Sequence, residues 1–300
     1  DADADLEVAE YRPSEFTVTA ETDKPSYVRG DPASCTVRGD YLYGAPMTRS
    51  EAHVSLVRRR GSFSPPGAED YSVSDDVYAY DLPDTSPSES VLHSATTTLD
   101  AKGTTVAKTN LTMPAQRGPE LLACEAEITD LSRQALSGST TALVHPGDFY
   151  VALDIGEAYF ITESDTVKPS VLALDPKGAK VPGQKVKIDL IRRTWAVARQ
   201  KTGSGGIHRV STPVDKVAAT CAVTTSQAPA SCALKPGAPG YYIVRATAED
   251  SRKNPLAASS SLYVTGESGS GWRDADDNRL ELVADKDSYT VGQTARILVK

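Results

Sequence analysis

The sequence predicts an all-β protein made of tandem antiparallel β-sandwiches of the fibronectin-like or immunoglobulin-like kind. Three observations support this: alternating strand patterns, frequent turn residues and internal repeats. Short runs such as 16–20 and 185–190 alternate apolar and polar residues, as half-buried strands do. Clusters of Asp, Pro, Gly and Ser bracket these runs, and the 19 prolines would interrupt any long helix.

Length and charge limit the possible functions. The chain has 300 residues, which fits two or three domains of roughly 100–150 residues each. Its 40 acidic and 32 basic residues give a net charge of −8, which argues against nucleic acid as the main partner. The longest apolar runs are far shorter than the roughly 20 residues of a membrane helix, so no membrane contact is expected from this segment.

Internal repeats reveal the organisation of the chain before any fold is named. Three pairs of segments resemble each other: 23–30 and 285–292, 44–59 and 178–193, and, more loosely, 121–130 and 241–250. The first pair combines a strand, a turn closed by a tyrosine, a glycine and a second strand. We therefore expect a tandem array of similar β-units.

The repeats predict three domains. The first is a sandwich over 1–146, the second a sandwich over 147–266, and 267–300 is a linker followed by the first strands of a third, truncated unit. Each complete sandwich is expected to have seven strands. The chain starts with Asp and stops on an alternating strand, so we expect it to be a fragment of a longer protein.

A polar stretch at about 61–89 breaks the strand rhythm and is predicted to be an insertion in the first domain. It is too long for a hairpin turn, so it should lie over a sheet surface. Its tyrosines, Tyr71, Tyr78 and Tyr80, are candidates to anchor it by burying their rings. An ordered structural insertion is favoured over a binding loop.

The four cysteines predict two disulfides, Cys35–Cys124 and Cys221–Cys232, one in each domain. An even number of cysteines that pair within domains favours this reading and an oxidising compartment. The alternative is four buried free thiols in a cytosolic protein. Zinc is disfavoured because no Cys-x-x-Cys pair is present and no histidine lies near a cysteine.

No catalytic, cofactor-binding or metal-binding residue is predicted. The chain contains no Gly-x-Ser-x-Gly nucleophile-elbow motif and no phosphate-binding loop motif. The Gly-rich stretch 202–206 is predicted to be a connection between strands. Two basic runs, 58–60 and 192–193, end equivalent strands and are predicted to keep sheet edges soluble rather than to bind an anion. The sequence therefore does not indicate an enzyme.

Several motifs resemble the macroglobulin-like domains of the bacterial α2-macroglobulin family. They include the turn 23–27, the segment Tyr-Leu-Tyr-Gly-Ala-Pro at 41–46, the Cys-to-Cys segment 221–232 and the restart at 280–292. The resemblance covers essentially the whole chain and implies a broad-range endopeptidase inhibitor that traps proteases. In that family a protease cuts a bait segment, and a thioester in a Cys-x-Glu-Gln run then becomes reactive.

The resemblance assigns this segment to the structural frame of such an inhibitor. None of the four cysteines is followed by x-Glu-Gln, so neither the bait region nor the thioester is expected here. The implied partners are proteases, through the full-length protein, and neighbouring domains of the same chain; no cofactor is implied. The implied location is periplasmic or secreted, and a membrane-anchored lipoprotein is one form of the parent that the resemblance allows. The alternative from another class is a cell-surface adhesion or binding array of immunoglobulin-like modules.

Overall fold

The computed structural model describes residues 13–82, 88–112, 118–156, 159–201, 207–266, 282–286 and 288–299. These ranges contain 18 strands and one helix of four residues. The prediction of an all-β fold is therefore confirmed. Among these residues no helix is long and apolar enough to cross a membrane. Contacts divide the chain into two compact units.

The first unit is a sandwich of a three-stranded and a five-stranded sheet, formed by residues 13–61 together with Ser88–Thr112 and Glu120–Val144. Its strands are β1 (Phe16–Thr22), β2 (Ser26–Val28), β3 (Pro32–Tyr41), β4 (Glu51–Arg60), β5 (Glu89–Thr98), β6 (Thr104–Asn110), β7 (Glu120–Thr129) and β8 (Ala135–His145). The sheet orders are β1-β3-β6 and β2-β8-β7-β4-β5.

The second unit is also a sandwich, and it takes in residues 62–82 and 118–119 besides the described residues from His145 onward. It contains the helix α1 (Asp76–Ala79) and the strands β9 (Tyr150–Asp154), β10 (Phe160–Thr162), β11 (Ser170–Leu174), β12 (Lys185–Lys201), β13 (Ile207–Thr224), β14 (Ala230–Ser231), β15 (Gly240–Glu249) and β16 (Pro255–Thr265). The sheet orders are β14-β11-β9 and β10-β16-β15-β12-β13.

The two sandwiches share one topology, strand for strand. Sheet β1-β3-β6 matches β9-β11-β14, and β2-β8-β7-β4-β5 matches β10-β16-β15-β12-β13. Both also shift register at equivalent places, Leu56/Val57 and Leu190/Ile191, which are 134 positions apart. Each sandwich has eight strands, so the prediction of seven was wrong. The reason is that β2 and β10 have only three residues each, too few for alternation to reveal a strand.

The first repeated turn has the same bonds in both copies. The Tyr27 hydroxyl donates to the Asp23 carboxylate (2.6 Å), and the Tyr289 hydroxyl donates to the Asp285 carboxylate (2.5 Å). After the second copy, β17 (Leu282–Ala284) pairs with β18 (Ile297–Val299) in the register of β1 and β3, so that Leu282↔Val299 repeats Ala20↔Val37. The hairpin of β1 and β3 is thus repeated at 282–299, and the linker predicted before it lies mostly outside the described residues.

The structure contains both predicted disulfides. Cys35 on β3 is bonded to Cys124 on β7, with Cα atoms 6.4 Å apart, and both residues are fully buried. Cys221 on β13 is bonded to Cys232 just after β14, with Cα atoms 6.6 Å apart. Each bond joins the two sheets of one sandwich, so each fixes the packing of its layers.

The basic runs do not act as edge solubilisers, and this prediction is wrong. They end on β4 and β12, each of which lies second from the edge of its five-stranded sheet. Arg58 is only 5% exposed and lies 3.7 Å from Glu120, whereas Arg193 is fully buried. Acidic partners remote in sequence made this burial possible, because a buried guanidinium needs a charged or hydrogen-bonding partner.

Candidate functional site

A site of charged and hydrogen-bonded side chains lies on the outer face of the five-stranded sheet in the second unit. Alternation along β15 sends Tyr242, Val244 and Ala246 into the hydrophobic core. Residues Ile243 and Arg245 therefore face outward. Ile243 is nevertheless fully buried, which means that something covers this face.

Residues 62–82, named the strap below, provide the cover. The strap comes from the connection between β4 and β5, yet it packs within the second unit. Ser72 pairs with Leu153 of β9 through two backbone hydrogen bonds of 2.8 Å. Further along, the Ser259 amide donates to the Ser74 carbonyl (2.8 Å), and the Ser259 hydroxyl accepts from the Tyr78 amide (3.0 Å). The strap thus bonds to one strand in each sheet of the sandwich.

A small apolar cluster lies beneath the first part of the strap. Its buried members are Ala68 in the strap and Ala152, Leu172 and Leu174 in the three-stranded sheet, and the strap residues Tyr71 and Val73 pack against them. This burial removes apolar surface of both partners from water and so favours the bound strap.

Charged and aromatic side chains hold the second part of the strap in what we call the clamp: Asp75, Tyr78, Asp81, Arg193, Asp215 and Arg245. The Arg245 guanidinium donates three hydrogen bonds of 2.8–3.1 Å to the buried carboxylate of Asp75. The Tyr78 ring lies against both guanidinium groups, at 3.9 Å from Arg245 and 5.1 Å from Arg193. A tyrosine between two cations gains from their attraction to its ring face.

Arg193 is the most deeply buried member of the clamp. Its Nε and Nη2 atoms donate to the two carboxylate oxygens of Asp215 at 2.8 and 2.9 Å, and its Nη1 atom lies 3.5 Å from Asp81. Burial lowers the pKa of Arg193, but its bonds to Asp215 and the nearby charge of Asp81 outweigh burial and raise the pKa above its usual value. The guanidinium stays charged, and a two-point Arg–carboxylate contact of this kind fixes geometry as well as charge.

A second polar anchor lies next to the base of the strap. The Nδ1 atom of His145 is 2.8 Å from the Tyr150 hydroxyl, and the Phe63 ring packs edge-on against His145 with ring centroids 5.0 Å apart. Burial lowers the pKa of His145 and raises that of Tyr150. Both side chains are therefore neutral near pH 7, which suits a buried hydrogen-bonded pair.

This arrangement holds the strap in place on the sheet. The clamp carboxylates are engaged by arginines, and the described residues contain no cluster of three His, Cys, Asp or Glu side chains suited to a metal. A groove of about 760 Å³ beside the clamp is lined by both Asp75 and Arg245. The site can position the strap rigidly, and its charges make that position sensitive to substitution.

The first unit brings a histidine and two serines together without forming a catalytic triad. His53 Nε2 lies 3.3 Å from the hydroxyls of both Ser55 and Ser94. The other ring nitrogen, Nδ1, faces the Thr96 hydroxyl at 3.0 Å rather than a carboxylate. The carboxylate that would stabilise an imidazolium is missing from this contact, so the group is a polar sheet surface.

The three tyrosines predicted to anchor the insertion differ in position. Tyr78 and Tyr71 pack as anchors, but Tyr80 is 81% exposed, so that part of the prediction is wrong. Sequence reasoning missed the acidic members of the clamp and Arg245. Their partners lie far along the chain, as for Asp75 and Arg245, which are 170 positions apart. No local pattern marks such a pair.

Comparison with known proteins gives a consistent relationship. The chain is 26% identical over 299 residues to an α2-macroglobulin homolog of the cyanobacterium Nostoc sp., an alignment that covers 99% of this chain and 15% of the relative. The chain thus spans about 15% of the length of that curated relative. No protein-family model matches the sequence.

Solved structures show the same fold. The native conformation of Escherichia coli α2-macroglobulin matches with a TM-score of 0.58 and 16% identity, covering 96% of this chain and 18% of that one. Salmonella α2-macroglobulin reacted with methylamine matches with a TM-score of 0.59 and 15% identity, covering 96% and 18%. These findings confirm the resemblance to the bacterial α2-macroglobulin family.

Proposed function

We propose that this chain, which belongs to the bacterial α2-macroglobulin family, is part of the structural frame of a broad-range endopeptidase inhibitor. The observation that carries the proposal is the similarity to an α2-macroglobulin homolog over 99% of the chain. Two sandwiches of one topology and a further hairpin in the register of β1 and β3 suit a frame assembled from repeated modules.

The internal construction of the modules supports a mechanical role. Each sandwich has a disulfide between its sheets, and the clamp fixes an additional segment on the second one. Such links limit the motion of strands and would let the modules keep their shape under attack by proteases. The carboxylates of Asp75 and Asp215 are held by arginines of the same site, so we propose a structural rather than an enzymatic role.

The inhibitory step itself belongs to other parts of the full-length protein in this proposal. All four cysteines form disulfides, and none begins a Cys-x-Glu-Gln run, which supports our placing the thioester in another part of the full-length protein. The partners are proteases, met through the full-length protein. Two disulfides also favour an oxidising location, which we propose to be the periplasm or the extracellular space.

Digestion of a protein substrate tests the proposal. The full-length gene product should slow digestion by trypsin and by a protease of different specificity, whereas the 300-residue chain alone should not inhibit either enzyme. Inhibition by the chain alone would contradict a frame role. A full-length product that inhibits no protease would contradict the inhibitor assignment and favour the adhesion array.

A further inference from the structure

Two turns of the first sandwich expose large apolar side chains, and together they form what we call the end patch. Leu42 is 66% exposed, Tyr43 is 78% exposed, and Leu131 is 93% exposed. The turns flank the same short segment before β1, because the Leu42 amide donates to the Glu15 carbonyl (2.9 Å) and the Gln134 side chain reaches the Pro13 carbonyl (3.5 Å). They therefore lie at one end of the sandwich.

The first turn does not need apolar residues to form. Its hydrogen bonds, from the Tyr41 amide to Ala45 and from the Gly44 amide to Tyr41, recur in the second sandwich from Asp175 to Ala179 and from Gly178 to Asp175. The tip of that equivalent turn is Pro176–Lys177 instead of Leu42–Tyr43. The same backbone thus forms with a polar tip, the usual composition of an exposed turn.

The second turn gives the same contrast. Asp130 closes the β7–β8 hairpin through backbone bonds with Gln134, and Asp250 closes the β15–β16 hairpin in the same way with Asn254. The residue after the aspartate is Leu131 in the first sandwich and Ser251 in the second. Both turns of the first sandwich therefore carry apolar residues that folding does not require.

The aromatic part of the end patch is preorganised. The Tyr43 ring stacks on Tyr41 with centroids 5.2 Å apart and planes 9° apart, and Tyr41 packs edge-on against the buried Phe16. A rigid aromatic surface loses little conformational entropy on binding, which favours its use in an interface.

The second sandwich shows what covers an equivalent turn. A Cβ atom at Gly178 would collide with the carbonyl oxygen of Pro66 and would lie 3.0 Å from the Pro66 side chain. Pro66 belongs to the strap, the connection between β4 and β5. At the equivalent Gly44 a Cβ atom would meet nothing within 4 Å. The first sandwich therefore has an equivalent turn, and none of the described residues covers Gly44 as Pro66 covers Gly178.

We propose that the end patch is the docking surface for a strap-type segment of another β-sandwich module of the same polypeptide. That segment is extended, contains proline and apolar side chains, and covers Leu42, Tyr43 and Leu131 as Pro66 covers Gly178. The length of the Nostoc relative, of which this chain covers 15%, leaves room for such a module. The proposal concerns assembly and does not depend on protease inhibition.

Cysteine labelling tests the proposal, because all four cysteines of the 300-residue chain are in disulfides and do not react with a maleimide. In the full-length product, peptide mapping by mass spectrometry measures the labelling of the introduced thiol separately from that of any other cysteine. Tyr43→Cys and Leu131→Cys are each made in the 300-residue chain and in the full-length gene product. A maleimide should react with both thiols about tenfold or more slowly in the full-length product, because a covered thiol is less accessible. Lys24→Cys, in the exposed turn between β1 and β2 at the opposite end of β1, is the matched control and should react equally in both.

A photocrosslinking amino acid at position 43 identifies the occupant. In the full-length product it should join a peptide of the same polypeptide that connects two strands of another sandwich. Equal labelling rates in the two proteins would overturn the proposal. Crosslinks to a second copy, to another protein or to lipid would overturn it as well. Retained far-UV circular dichroism of each variant shows that folding is intact.

Discussion

Gly44 and Gly178 occupy equivalent turns and have nearly the same backbone conformation, with φ of 92° and 85°. Their surroundings differ, because only Gly178 lies against the strap at Pro66. A side chain in this left-handed region costs about 1–2 kcal/mol at either position. Crowding adds to this cost only where the Cβ atom has a neighbour, so equivalent residues of repeated modules face different constraints.

We expect Gly178→Ala to destabilise the protein more than Gly44→Ala. Gly44→Ala should lower the free energy of unfolding by about 1 kcal/mol. For Gly178→Ala we expect about 2–4 kcal/mol, since displacement of Pro66 adds an overpacking cost. Urea unfolding followed by circular dichroism measures both. Equal losses of unfolding free energy would show that Pro66 moves away from the added Cβ atom at little energetic cost.

His145 makes stability depend on pH. Because burial lowers its pKa in the folded protein, the unfolded chain binds the proton more readily. The stabilising contribution of neutral His145 is complete above the unfolded pKa of about 6.5 and is lost as pH falls towards the folded pKa. The slope in this window is at most about 1.4 kcal/mol per pH unit.

The His145→Gln variant should show a weaker fall in stability between pH 6.5 and 5 than the unsubstituted protein. Glutamine can still meet the Tyr150 hydroxyl but does not titrate, which removes the linked proton. Unfolding in urea at several pH values gives the two profiles. Parallel profiles would mean that other groups cause the acid sensitivity.

At the scale of elements, the bound position of the strap is stabilised by the clamp more than by the strap's own secondary structure. Its only helix, α1, has four residues, and the carboxylate of its N-cap residue Asp75 makes no capping bond and binds Arg245 instead. A helix this short has no stability of its own. The strap is therefore expected to open locally when clamp contacts are removed.

Tyr78→Ala should loosen the strap while the sandwich stays folded. Losing the contacts with two arginines costs about 2 kcal/mol, which corresponds to about thirtyfold faster amide exchange over residues 72–79. Hydrogen exchange with mass spectrometry measures this. The control is Tyr80→Ala, which removes an exposed ring two residues away and should leave exchange unchanged. Faster exchange throughout β15 and β16 would instead show that the strap and the sandwich open together.

At the scale of the whole molecule, the two disulfides constrain chain segments of very different length. The cysteines are 89 positions apart in one pair and 11 in the other. In the chain-entropy picture the longer loop gives the larger stabilisation, about 4–5 kcal/mol against about 3 kcal/mol. The long-range bond also joins buried core residues, so its removal leaves space in the first sandwich.

Replacing both members of each pair by alanine tests this difference. The Cys35→Ala/Cys124→Ala protein should lose about 4–5 kcal/mol of unfolding free energy, and the Cys221→Ala/Cys232→Ala protein about 3 kcal/mol. Denaturant unfolding of the oxidised proteins provides the comparison. A larger loss of unfolding free energy for the second pair would show that this disulfide stabilises its sandwich by more than the entropy of loop closure.

The sequence by itself determined the all-β class, the repeats and the pairing of the cysteines. The fold class and the repeats depend on local information: alternation along a strand, glycine and aspartate in turns, and similar residues at fixed offsets. The turn from Asp23 to Tyr27 is an example, since its hydroxyl–carboxylate bond spans four positions and recurs from Asp285 to Tyr289. The pairing of the cysteines followed from their even number and from two of them falling in each domain.

Only the tertiary structure decided where the insertion packs and which charges are buried. Arg193 looked like a surface residue because its own neighbourhood is polar, and its partners Asp81 and Asp215 are 112 and 22 positions away. Alternation says which residues share a face, but it does not say which segment covers that face. The cover depends on contacts between distant parts of the chain. These contacts form only when folding brings opposite charges and apolar surfaces together, so no local pattern in the sequence reveals them.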